Sequence, residues 1–538
     1  MNDKSMVDTP LPTDQSSASK ITRREFLAQT SILSASGAAG LSLAGSGWLR
    51  PALAARHEPN ELVLKDGLAL SQAIKSKEVS CKEVMQSYLD HIERFNPQVN
   101  AIVSLQDPES LLQQAEQRDQ QLANGEYLGW MHGFPQAVKD LAMTQSIVTT
   151  YGSPILKDFV PKGDAIFVER IKQNGAIIIG KTNVPEFGLG SQTYNPIFGA
   201  TGSAYDPTKT AGGSSGGAAA AVALRLLPVA DGSDMMGSLR NPAAYNNVIG
   251  FRPSAGRVPF GPTGEIFVQQ LGYEGPMGRS ITDVAMMLSV MAGYDARTPL
   301  SIAQDPVMFA EPLKRDFQGA RLAWLGDLGG YLPMEPGIKE LCQSAFSAFD
   351  SIGCTVEAAQ PDYPPEQIWD TWLKWRHWLV GGILLDLYND PAKRELLKPE
   401  AQWEVEGALK LSAVDTYKAA VARSAWYQAV RKMFESYDYL LLPSAQVFPF
   451  DLNIHWPKTI NGVEMTTYHE WMKVVTPGTL SGCPVINVPV GFNEAGLPMG
   501  MQIMGPNHAD LAVLQIAYAY EQATDWVNKH PPTLLSAA

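Results

Sequence analysis

The stretch from Gly188 to Gly217 is the strongest constraint in this sequence. It is rich in Gly, Ser, Asn, Thr and Pro, and it ends in Gly212-Gly213-Ser214-Ser215-Gly216-Gly217. A flexible linker of this composition has no reason to end in regular structure. Here the segment runs directly into Ala218–Leu226, an alanine-rich run that forms helix strongly. A tight glycine loop opening a helix presents backbone N–H groups at the helix N-terminus, which suits a polar or anionic group.

The surrounding sequence alternates helix and strand. Ser80-Cys81-Lys82-Glu83 is a capping box, and it opens a helix with Val84, Tyr88, Leu89, Ile92 and Phe95 on one face that should stop near Pro97. Gly133–Val138 reads as a turn into a short strand that delivers Lys139-Asp140. Asp164 is placed to cap a helix ending at Asn174-Gly175. Ala176–Ile179 is apolar and β-branched, the pattern of a strand buried on both faces. Gly175–Thr182 also matches a phosphate-binding string, but its four variable positions are Ala-Ile-Ile-Ile, which favour the strand itself over a phosphate cradle. Residues from about 300 to 440 read as a helical insertion that could cover a pocket, with Trp369, Trp372, Trp375 and Trp378 close together. Strand-like runs return at Tyr439–Leu442, Val485–Val488 and Gly500–Ile503. This order indicates α/β layers.

Of the 538 residues, 45% are apolar and 18% charged, which excludes wholesale disorder. A net charge of −13 argues against a nucleic-acid partner, because tracking phosphates needs a basic excess. Cys81, Cys342, Cys354 and Cys483 show no C-x-x-C spacing and no paired His, so no metal site is expected.

Residues 1–55 read as an address. A polar lead-in is followed by Thr22-Arg23-Arg24-Glu25-Phe26-Leu27, a weakly apolar stretch from Ala28 to Leu49, and small residues at Ala52-Leu53-Ala54. The order of charge, apolar run and cleavage site is that of an export signal, and the arginine pair is similar to a twin-arginine signal. The expectation is a periplasmic or secreted protein of residues 56–538, an uncleaved membrane anchor being the alternative. No other segment has the apolar length to span a membrane.

Three sites carry the chemistry. Lys139 ends a strand. The glycine–serine loop satisfies G-x-S-x-G twice, at Ser214 and at Ser215. Asp231-Gly232-Ser233-Asp234-Met235-Met236-Gly237-Ser238-Leu239-Arg240 follows a short apolar strand, where α/β sheets place their chemistry. One reading is a serine esterase of the α/β-hydrolase type. It requires a strand directly before the serine and a later His, for which His508 or His530 is available.

Taken together and in this order, the three sites resemble the amidase signature family. The resemblance begins at the capped helix after Ser80, where Phe95–Ala101 matches the family's opening, includes Gly180-Lys181-Thr182-Asn183 with Glu186-Phe187, and closes with Thr479, Gly482-Cys483-Pro484 and Gly496–Gln502. It implies a large mixed β-sheet sandwiched by helices. It also implies a triad that needs no metal or cofactor: Ser238 as nucleophile, Ser214 (in a cis peptide with Gly213) as proton relay, and Lys139 as base. Backbone N–H groups of Met235, Met236, Gly237 and Ser238 would form the oxyanion hole, with Ser215, Asp234 and Arg240 in support and Asp234 paired to Arg240. The reaction expected is hydrolysis of a small-molecule linear amide through a seryl acyl-enzyme; a homodimer is left open. Met235, Met236 and Leu141 depart from the family pattern. A catalytically drifted binding protein of the same fold is a third reading.

Overall fold

The computed structural model describes residues 60–536, so the segment 1–55, read as an export signal, lies outside the described residues. Among the described residues the core is an eight-stranded mixed sheet. Its strand order is Thr355–Ala358, Arg321–Trp324, Tyr439–Pro443, Pro498–Met504, Val485–Phe492, Ile249–Arg252, Tyr273–Gly278 and Ala230–Asp234. The first two pairings are parallel and the other five antiparallel. The strands Tyr439–Pro443, Val485–Phe492 and Pro498–Met504 are almost wholly buried, so they read as largely apolar runs rather than alternating ones.

A three-stranded sheet lies beside the Ala230–Asp234 edge, in the order Ile102–Val103, Ile177–Thr182, Pro135–Lys139. The phosphate-loop lookalike is therefore a strand, as its Ile-Ile-Ile core requires. Asp231 joins the two sheets, accepting the Lys139 backbone N–H at 3.0 Å and the Gln136 amide at 3.3 Å.

The helix Cys81–Val99 forms both halves of its capping box at Ser80 and Glu83. Pro97 does not stop it. A proline in the last turn costs little continuation, and the helix closes at Asn100, whose φ of 55° turns the chain away. Asp164 does not cap its helix: the cap is Ala165, and the Asp164 carboxylate instead accepts from the Gln145 amide and the Lys172 ammonium, both at 2.7 Å.

The region from about 300 to 440 is not helical throughout. Arg321–Trp324 and Thr355–Ala358 are strands of the main sheet, and they were hidden because each is only four residues long. The helical part proper is Pro365–Asn389, Pro399–Leu409 and Ala413–Met433. No helix of the described residues is long and apolar enough to cross a membrane.

Candidate active site

Lys139 ends its strand with its side chain inside the protein, 1% exposed. Its Nζ lies 2.9 Å from Ser214 Oγ, 2.8 Å from Ser215 Oγ, 2.9 Å from Ser233 Oγ and 3.1 Å from the Ser233 carbonyl. An ammonium has three N–H donors for these four acceptors. Burial lowers the proton affinity of the amine, while the nearby acids Glu274, Asp231 and Asp234 pull it back up.

The glycine–serine loop is held from several directions. The Gly213–Ser214 peptide is cis. Thr193 Oγ1 donates to the Gly212 carbonyl at 2.8 Å and accepts the Gly216 N–H at 3.2 Å, while Asn241 Oδ1 accepts the Gly213 N–H at 3.2 Å. Gly217 must be glycine, because a Cβ there would lie 2.3 Å from the Asn183 backbone nitrogen. The helix that follows, Gly216–Ala223, is buried on all sides, which its all-round apolar composition requires. Ser215 stands at its N-cap but makes no capping bond, since its hydroxyl faces Lys139. No strand leads directly into Ser214 or Ser215, so the loop is not a strand–serine–helix elbow. His508 and His530 engage elsewhere. The His508 backbone N–H donates to Ser254 Oγ, and the His530 ring packs on Trp526 and Phe492.

The second serine loop leaves the strand Ala230–Asp234. Asp234 organises it. Its carboxylate accepts the Gly237 N–H at 2.8 Å and the Leu239 N–H at 3.2 Å, and receives Arg240 Nε and Nη2, each at 2.9 Å. Burial alone would raise this carboxyl, but Arg240, Arg252 and the Leu239 amide outweigh it and hold it well below the usual carboxylate range. The expected Asp234–Arg240 pair is thus present, fully buried. Arg240 reaches on to the Val475 carbonyl, Gln502 and Thr479, which ties the loop to the C-terminal block.

This arrangement corrects one expectation. The Gly237 N–H is spent on Asp234, so it is not a free oxyanion donor; the amides of Met235, Met236 and Ser238 are not engaged in this way. Gly237 instead supplies the bend, with φ of 77° and the Val475 side chain 2.8 Å from where a Cβ would stand.

Ser214 and Ser238 open on one cavity of about 520 Å³. Their hydroxyls share its wall, and no hydrogen bond joins them in this structure; Ser214 Oγ is bonded to Lys139. Most of the wall is apolar, including Leu141, Phe187, Met235, Met236, Ile383 and Leu384. A second cavity of about 630 Å³ adjoins it, sharing Leu141, Tyr151, Phe260, Gln269, Glu274 and Ile383. Trp378 lines the second cavity. Trp369 and Trp372 stack on each other with centroids 5.1 Å apart and wall in His469, so most of the tryptophan cluster packs the insertion rather than lining a pocket.

Three features carried no signal in the sequence. Ser233 sits inside the second serine loop, but nothing local distinguishes it from a turn serine. Glu274 lines both cavities from the strand Tyr273–Gly278. Arg376, on the helix Pro365–Asn389, faces the first cavity and touches Met235 Sδ at 3.2 Å. It is anchored by Glu404 at 2.6 Å and donates to Tyr468 Oη at 2.7 Å.

A family model described as Amidase matches residues 83–514. An acylamidase of Rhodococcus erythropolis is 32% identical over 477 residues, covering 87% of this chain and 97% of the relative. A glutamyl-tRNA(Gln) amidotransferase subunit from Thermosynechococcus vestitus is 31% identical over 484 residues, covering 86% and 98%. Among solved structures, a bacterial aryl acylamidase of the amidase signature enzymes superposes with a TM-score of 0.82 at 28% identity, covering 87% of this chain and 98% of that one. With its mixed sheet, its glycine–serine loop and a match spanning most of its length, the chain belongs to the amidase signature family.

Proposed function

We propose that this protein hydrolyses carboxylic amides with apolar substituents through an acyl-enzyme on Ser238. The observation that carries the reading is the buried Lys139 Nζ, 2.9 Å from Ser214 Oγ, beneath a cavity onto which Ser238 also opens. A serine hydroxyl is a weak nucleophile until a base takes its proton. A neutral Lys139 accepts the Ser214 proton, and Ser214 in turn accepts that of Ser238 as Ser238 Oγ adds to the carbonyl carbon. The unspent amides of the Met235–Ser238 turn face the developing oxyanion. On collapse the C–N bond breaks and the ammonium returns its proton through Ser214 to the leaving amine. Water then attacks the acyl-enzyme by the same relay and releases the acid. The Ser214–Ser238 link has to tighten when substrate arrives, as catalytic hydrogen bonds of unliganded enzymes often do.

The apolar wall supports an acyl or aryl amide over a small polar one such as glutamine, and the likeness to an acylamidase points the same way. Export through the Arg23-Arg24 signal belongs to the same reading, and fractionation of cells expressing the full chain tests it.

The catalytic reading is tested with a panel of aryl, alkyl and glutamine amides, together with labelling by a fluorophosphonate. Lys139→Ala, Ser214→Ala and Ser238→Ala should each lower kcat at least 100-fold, while His508→Ala retains turnover. Failure of the probe to modify Ser238, or full activity in Lys139→Ala, would refute the triad.

A further inference from the structure

Glu274 stands directly opposite Ser233 in the antiparallel pairing of Tyr273–Gly278 with Ala230–Asp234. Residues opposite each other in such a pair put their side chains on one face, with Cβ atoms about 5 Å apart. Ser233 is also the residue whose hydroxyl and carbonyl both accept from Lys139 Nζ. Glu274 is therefore held on the face where the lysine ends. It is 7% exposed, and its Oε2 is buried with no hydrogen-bond partner among the described residues.

The other charged groups nearby are already engaged. Asp231 accepts from Lys139 N and Gln136 Nε2, and Asp234 is clasped by Arg240. Lys181 donates to the Ala142 carbonyl and to Thr144 Oγ1. From other elements, Tyr151, Asp386, His469 and Arg376 face the same cavity, and Arg376 is tied to Glu404. Glu274 is the acid beside the base with an oxygen to spare.

We propose that Glu274 is a positioning residue for the base, holding or releasing the proton of Lys139 according to its own charge. One proton serves two sites. While Glu274 is ionised, its negative charge keeps Lys139 an ammonium. When the proton sits on Glu274, the N–H bond lost at Nζ is matched by an O–H bond formed at the carboxyl. The net charge of the pair is unchanged and the amine has a lone pair for Ser214. Burial raises the proton affinity of the carboxyl and lowers that of the amine, which brings the two sites toward balance.

The proposal rests on Lys139 as the base, but its test does not need turnover. Protein carrying ¹³C,¹⁵N-lysine is titrated by NMR, with the Lys139 signal assigned by its loss in Lys139→Met. In Glu274→Gln the Lys139 midpoint should fall by at least one pH unit, a tenfold change in proton affinity. An unchanged or raised midpoint overturns the proposal. A merely structural role for Glu274 would lower thermal stability and leave the midpoint in place. Should Glu274→Gln not fold, Glu274→Met carries the same expectation. The pH dependence of fluorophosphonate labelling provides a second readout, whose acid limb should move in the same direction. A wild-type protein that resists labelling at every pH would sink the triad, and the NMR midpoint would still decide whether the proton is shared.

Discussion

Replacing Asp234 by Asn tests the structural core of the site most directly. The wild-type carboxylate is fully buried, receives two hydrogen bonds from Arg240 and two from backbone amides, and lies 3.6 Å from Arg252 Nη1. Asn keeps the shape but leaves two buried guanidinium groups without a counter-charge, and its amide hydrogens oppose those of Arg240. Breaking a buried pair from one side costs about 3–5 kcal/mol. For a domain of this size the entropy of unfolding gives about 1 °C per kcal/mol, so the melting temperature should fall by about 3–5 °C.

The pH dependence has a definite sign. The folded-state value of Asp234 is depressed, so its contribution is complete above the unfolded value of about 3.9 and fades as pH falls below it. The deficit of Asp234→Asn relative to wild type should therefore be constant from pH 7 to about pH 5 and shrink below about pH 4. Scanning calorimetry at a series of pH values reads it, with kcat measured on the same samples, because release of the Gly237 and Leu239 amides also loosens the nucleophile loop. A melting temperature equal to wild type at pH 7, or a deficit that grows in acid, would refute this account.

Gly237→Ala should fold but lose at least tenfold in kcat, because the added methyl meets the Val475 side chain at 2.8 Å and the positive φ disfavours any Cβ; steady-state kinetics and a melting curve separate the two effects. Arg376→Met strips Glu404 of a guanidinium that holds it far below its ordinary value against the opposing effect of burial. It should destabilise the helical insertion by about 3 kcal/mol and raise KM more than it lowers kcat, since Arg376 faces the cavity and touches Met235 but no catalytic hydroxyl.

The parts of the candidate centre were legible as short motifs, and the family resemblance joined them. The glycines of the Gly212–Gly217 loop and the serines beside them are adjacent in the chain, whereas Lys139, weak by itself at a strand end, gained meaning only from the family resemblance. The Asp234–Arg240 pair spans a single loop. Where the reading failed, the answer depended on a partner far away. The Gly237 amide looked available until Asp234 was seen to take it. The short strands Arg321–Trp324 and Thr355–Ala358 lack the length for a periodic signal; the first exists because Tyr439–Pro443 gives it an edge to pair with, and the second because the first then offers its own free edge.

The three side chains proposed for the relay came from the family resemblance; from residue order alone followed the layered α/β class and the loop that needs glycine. These are properties of neighbouring residues, and backbone sterics and local hydrogen bonding act over a few positions. Folding alone decided that Ser233 and Ser215 share the lysine with Ser214, that Glu274 lies across from Ser233, and that Arg376 reaches the second serine loop from the helical insertion. Each depends on strand register or helix docking, and those are set by how the whole core buries its apolar surface.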